Sequence, residues 1–231
     1  MHLLSEYEYQ ALILSLKVAL YTVLWLLPIG IGFGWLLAKK QFVGKSWLDS
    51  LLHLPLVLPP VVIGYLLLIS MGQQGFIGQW LYHYFGIVFS FNWKGAVLAS
   101  IVVALPLMVR STRLSIESID PKLDQAAATL GASPIRRFVT ITLPLMTPGI
   151  VTGTLLSFAR SLGEFGATIS FVSNIPGVTQ TLPLAMFSSI ETPGAEIETM
   201  RLCIISLSIA LSSLMISELV SQQCKKRLQG Q

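Results

Sequence analysis

Side chains able to do chemistry are sparse in this chain: 231 residues hold 11 Asp and Glu, 15 Lys and Arg, and 3 His. His2, His53 and His83 are too widely spaced for a metal-binding or acid–base motif, and no nucleophile elbow is present. Cys203 and Cys224 are too few and too scattered for a disulfide framework or a metal site, and read as packing residues. Gly44-Lys45-Ser46 matches the end of a phosphate-binding loop, but the first glycine of that motif would fall at Lys39 and no strand precedes it. That stretch reads as a turn with a cationic edge. No catalytic residue, metal or cofactor is expected. Arg160 and Glu164, four residues apart on a helical pattern, can pair with one another. Arg160 and Lys17 are also the cations nearest the middle of long apolar stretches, where a charge must face protein, line a cavity or reach outward. Arg160 and Glu164 therefore read either as a plain ion pair or as charges lining a substrate path through the membrane.

The elements that must position these residues are membrane helices. The composition is 53% hydrophobic and 11% charged, and the mean hydropathy is +0.72; a soluble domain has far less apolar surface to hide. Crossing a bilayer core takes about 20 apolar residues per helix. Stretches without Asp, Glu, Lys or Arg occur at 18–38, 51–93, 95–109, 138–159 and 202–217. They predict an all-α membrane protein with about five spans, near 11–39, 48–71, 94–117, 134–162 and 199–223. Residues 72–93 are too polar to continue the second span and read as an interfacial loop, and 163–194, broken by Asn174, Pro176, Gly177, Gln180 and Pro183, predicts an external loop with a short helix near 182–190 that either stays outside or dips back into the bilayer. Pro55, Pro106 and Pro144 fall inside spans and predict kinks.

The net charge of +4 does not point to nucleic acid, because the cations are clustered at span ends. Lys39, Lys40 and Lys45 follow the first span; Arg110, Arg113, Lys122, Arg136 and Arg137 lie around the loop between the third and fourth; Lys225, Lys226 and Arg227 follow the fifth. The positive-inside rule puts all three clusters in the cytoplasm, with the N-terminus outside and the C-terminus inside. Residues 1–10 carry Glu6 and Glu8 but no Lys or Arg, so the first span reads as a permanent helix and not a cleaved signal.

The loop at about 118–144 carries a helix that no membrane requirement explains. Asp120 can cap it and Pro121 suits its first position. Leu123, Ala126, Ala127 and Leu130 then share one narrow apolar face. Gly131 can end the helix in a left-handed conformation, and Ser133-Pro134 can start the next, which runs into the fourth span. Read from periodicity alone, this is either a surface helix covering its neighbours or a docking element.

The spacing here resembles the Glu-Ala-Ala loop of binding-protein-dependent ABC importer permeases: Glu-Ala-Ala, three residues, Gly, nine residues, Ile, any residue, Leu-Pro. Gln125-Ala126-Ala127, Gly131, Ile141, Leu143 and Pro144 stand in that register, with Gln125 in place of the Glu and Asp124 beside it. The resemblance implies a type I importer permease fold in which Asp124, Gln125, Ala126, Ala127, Leu130 and Gly131 dock onto a separate cytoplasmic ABC ATPase subunit. It covers nearly the whole chain, 1–231 forming one transmembrane permease domain. Within the family it is similar to the molybdate permeases among the oxyanion importers, on the runs 53–62 (His-Leu-Pro-Leu-Val-Leu-Pro-Pro-Val-Val), 158–167 (Phe-Ala-Arg-Ser-Leu-Gly-Glu-Phe-Gly-Ala) and 179–184 (Thr-Gln-Thr-Leu-Pro-Leu). Sulfate and thiosulfate permeases share a related Gly-Glu-Phe-Gly-Ala run and are the alternative. The resemblance implies a periplasmic oxyanion-binding protein as second partner and an inner-membrane location. Five spans are few to enclose a route, so a homodimer surrounded by membrane lipid is expected, with the path on its two-fold axis. A proton-coupled secondary transporter would show carboxylates in mid-span and repeated halves, and neither is visible here.

Overall fold

The computed structural model describes residues 5–229, with the backbone alone at 217–218, 220–221 and 223–229. Cys224 and the Lys225–Arg227 cluster thus lie outside the described side chains, and His2 outside the described residues.

Helix α1 (Glu6–Lys39) begins a turn earlier than its apolar run, because Ser5 and Glu8 form a reciprocal capping box. Helix α5 (Trp93–Glu117) is the central mast, packed against α1 on one side and α9 (Thr147–Leu162) on the other. Each neighbour offers it two glycines one turn apart. A Cβ at Gly34 of α1 would lie 2.8 Å from Thr112 Cβ, and one at Gly153 of α9 would lie 2.7 Å from Met108 Sδ. Such small residues let helix backbones approach closely where no hydrophobic drive separates protein from lipid. The Thr112 hydroxyl sits between the carbonyls of Gly30 and Met108, adding a polar tie across the same seam. Ala96, Ala99, Ala104, Met108 and Val109 are fully or nearly fully buried as a result.

The second predicted span is not straight. It divides into α2 (Lys45–His53), one 3-10 turn at Leu54–Leu56, and α3 (Pro60–Met71), with a bend of 112° between the two arms. Pro55, Pro59 and Pro60 account for this: each lacks an N–H donor, and the residue before a proline is pushed out of the helical region. Gly44, at φ 90°, makes the turn that starts α2. A short helix α4 (Phe76–Phe85) occupies the polar stretch after α3.

After the exposed helix α6 (Pro121–Thr129), the fourth predicted span is also jointed: α7 (Pro134–Arg137), a wide π-type turn at Phe138–Thr142, α8 (Leu143–Leu145) and α9, bent by 63° overall. Pro144 and Pro148 each sit at the second position of a new segment, where a missing N–H costs least.

Residues 163–194 hold two helices where one was expected. The helix expected near 182–190 is present as α11 (Leu182–Glu191), but an unexpected helix, α10 (Gly166–Val172), folds inward against α3 and α5. Thr168 is buried there, as are Ala167, Phe171 and Val172, which share one core with Val18, Ile63, Ala96 and Ala99. Gly64 of α3 makes room, since a Cβ on it would meet Ser170 Cβ at 2.8 Å. The chain closes with α12 (Glu196–Gln229), packed on α9 and α11. Cys203 is exposed on α12, contrary to the packing role expected of it. Among the described residues, three helices are long and apolar enough to cross a membrane, or up to five if each bent pair counts as one span.

Candidate functional site

Helix α6 forms as its local grammar demands. The Asp120 carboxylate accepts from the Lys122 N–H at 2.9 Å and Pro121 takes the first helical position. At the other end Gly131 adopts φ 80°; its N–H donates to the Ala128 carbonyl, and that of Ala132 donates to Ala127, the paired bonds of a Schellman motif. The Ser133 hydroxyl then accepts from the Arg136 N–H and begins α7. No residue of α6 is buried. Gln125 and Ala126 are exposed, Ala127 is half-buried, Leu123 is 47% exposed and Leu130 is 87% exposed. Ile135 and Val139, on the following segment, are 77% and 51% exposed. Leu123, Leu130, Ile135 and Val139 thus leave apolar surface exposed on and beside a capped helix.

Asp124 differs from its neighbours. Its carboxylate accepts from Arg137 Nη1 at 2.9 Å, and its backbone carbonyl lies 3.5 Å from the same nitrogen. The segment beyond Arg137 is anchored in the body: Phe138 packs edge-on to Trp35 of α1, and Met146 is buried with Ile116 and Ile119. The sequence marked Arg137 only as one more cytoplasmic cation, since nothing local links it to a residue 13 positions earlier.

Arg160 and Glu164 come together at 2.7 Å. Glu164 is almost fully buried, and its second oxygen accepts from the Ala167 N–H at 2.8 Å, so this carboxylate also caps α10. Arg160 remains about one-third exposed. Lys17 avoids bare hydrocarbon by lying 3.8 Å over the Trp93 ring, a cation–π contact. The structure does not bring Arg160 and Glu164 into the α6 patch; they belong to the junction of α9 and α10.

Two further charge assemblies escape the sequence. Fully buried Glu8 accepts from Arg201 Nε at 2.9 Å, tying α1 to the start of α12 across 193 residues. Asp49 of α2 and Glu117 both hold Arg113 of α5 at 2.8 Å, with His53 against Asp49, fastening the lower arm of the broken span.

The family model of binding-protein-dependent transport system inner membrane components matches residues 30–222. The chain is 60% identical over 225 residues to the molybdenum transport system permease protein ModB of Escherichia coli strain K12, covering 97% of this chain and 98% of that one. It is 61% identical over 221 residues to ModB of Haemophilus influenzae, covering 96% of each. The sulfate transport system permease protein CysT of E. coli is 37% identical over 158 residues, 68% of this chain and 57% of that one. Among solved structures, the fold is similar to that in the bacterial alginate ABC transporter in complex with alginate pentasaccharide-bound periplasmic protein (TM-score 0.76, 17% identity, 96% of this chain and 81% of that one). It is likewise similar to the inward-facing MetNI methionine ABC transporter (TM-score 0.72, 14% identity, 96% and 99%). With the matched region spanning α1 to α12 and the fold held in common with importer structures, the chain belongs to the family of binding-protein-dependent transport system inner membrane components.

Proposed function

We propose that this chain is the membrane-spanning permease subunit of an ATP-driven importer that carries molybdate, or its mimic tungstate, into the cytoplasm. The observation that carries the substrate is the 60% identity with a molybdenum permease along nearly the whole of both chains, against 37% over a shorter stretch with a sulfate permease. The permease works as two copies in the inner membrane, N-terminus outside and C-terminus inside, each copy holding one cytoplasmic ATPase subunit and together receiving a periplasmic oxyanion-binding protein. ATP is bound and hydrolysed on the separate subunit in this reading; in this chain Gly44 makes the turn into α2.

Helix α6 is the coupling element. Gln125, Ala126, Ala127, Leu130 and Gly131 dock into the ATPase, the small alanines permitting close approach and Leu130 filling a pocket. Closure of the ATPase pair then moves α6 as a body, and the jointed rod from Pro134 to Leu162 carries that movement to the route. Arg160 offers positive charge to the arriving anion, while Glu164 keeps the local charge balanced so that the ion is not held tightly. Selection of the oxyanion rests with the binding protein.

Reconstitution with the cognate ATPase and binding protein tests this reading. ATP hydrolysis should rise with molybdate- or tungstate-loaded binding protein and not with sulfate, and Gly131→Asp should abolish the rise. No stimulation by molybdate or tungstate in an assembled complex would overturn the substrate; wild-type stimulation in Gly131→Asp would overturn the coupling role of α6.

A further inference from the structure

We propose that Asp124 and Arg137 form a latch that makes α6 and the foot of the following rod a single lever, so that Asp124 acts within this chain as a positioning residue and not as a contact to the ATPase. The inference rests on the coupling role of α6. Its starting point is how weakly that helix is otherwise attached. With no buried residue, α6 makes its main contacts with α7 and the π-type turn. The backbone link from Thr129 to Pro134 passes through left-handed Gly131, a position free of side-chain packing, since a Cβ there would meet nothing within 4 Å. A helix joined through such a turn pivots unless something crosses the joint.

Arg137 crosses it. Its Nη1 reaches both the Asp124 carboxylate and the Asp124 carbonyl, and the two side chains are 22% and 35% exposed. That places the pair in a less screened setting than a fully solvated one. With its carboxylate oxygen held at 2.9 Å by Arg137, Asp124 is turned toward the rod, whereas Gln125, Ala126 and Leu130 remain open to a partner. Arg137 is also the last residue before the π-type turn at Phe138–Thr142, and Phe138 is seated on Trp35. Force on α6 thus enters the rod at the segment whose helical pitch is already relaxed, beside its pivot on α1. Without the latch, α6 can follow the ATPase while the rod stays behind, and hydrolysis proceeds with fewer ions moved.

The experiment uses the complete importer in proteoliposomes, with molybdate uptake, ATP hydrolysis and retention of the ATPase on a tagged permease measured together. Asp124→Asn and Arg137→Gln should each raise the ATP consumed per ion about two- to fivefold, the factor available from an ion pair of this exposure, with the ATPase retained. The exchange Asp124→Arg with Arg137→Asp should bring the ratio back toward wild type, which a merely structural loss would not do. An unchanged ratio in both single variants would overturn the latch, as would failure of the exchange to recover coupling. Loss of the ATPase in Asp124→Asn but not in Arg137→Gln would also overturn it, by making Asp124 a docking contact. Normal stimulation in Gly131→Asp would remove the coupling role itself, a failure distinguishable from that of the latch.

Discussion

Helices α6 and α10 are built alike and end up in opposite environments. Each is short, nine and seven residues. Each has a carboxylate accepting a backbone N–H at its start, Asp120 for α6 and Glu164 for α10, and beside each an arginine of a neighbouring segment pairs with an acid, Arg137 with Asp124 and Arg160 with Glu164. Yet α6 buries no residue, and α10 buries four. Helices this short do not stand alone in water, because nucleation is unfavourable and few hydrogen bonds follow it. Capping holds α6 in shape while its apolar face stays open; α10 is held by the core it enters. The difference separates a helix held by the core of its own chain from one held by its caps with its apolar face exposed.

That contrast can be broken in three places. The largest effect is expected at Glu164, where one buried carboxylate both caps α10 and pairs with Arg160. Glu164→Ala should lower the stability of the solubilised permease by about 2–3 kcal/mol, less than for a fully buried pair because Arg160 is already about one-third exposed. Thermal unfolding in detergent measures it, and an unchanged midpoint would mean that α10 does not depend on its cap. Next is Gly64→Val, which sets a side chain against Ala167 and Ser170 and should cost about 1–3 kcal/mol by overpacking. Should the variant unfold like wild type, the close seat of α10 on α3 would be wrong. The smallest stability effect is expected at Leu130, which touches almost nothing: Leu130→Ser should shift stability by no more than about 0.5 kcal/mol. The same variant should release the ATPase on affinity purification. Retention would show that the open apolar face of α6 is not what the partner grips.

The two helices were unequally visible in the sequence for the same reason. Everything that makes α6 is local: Asp120, Pro121, the spacing of Leu123, Ala126, Ala127 and Leu130, and Gly131. Helix α10 has a glycine, an alanine and β-branched residues in a seven-residue run too short for a span, so its stretch reads as loop until its packing against Ile63, Ala96 and Ala99 is known. The break of the second span falls between these extents. Pro55, Pro59 and Pro60 signal a disturbance, but a kinked span and a 112° turn have the same prolines. Arg160 and Glu164 were legible as a pair from spacing, whereas the burial of Glu164 was not.

By itself the sequence determined that the chain lives in a membrane, roughly where its long helices run, and that a capped amphipathic helix interrupts them, because hydropathy and helix caps act over one to five turns of chain. Only the tertiary structure decided which way the proline breaks fold, that α10 turns inward, and that Glu8 meets Arg201 while Asp124 meets Arg137. Those outcomes depend on which surfaces meet in space. The glycines that bring α1 and α9 onto α5 set those meetings by close approach, and no local pattern around a charged residue records its partner on another helix.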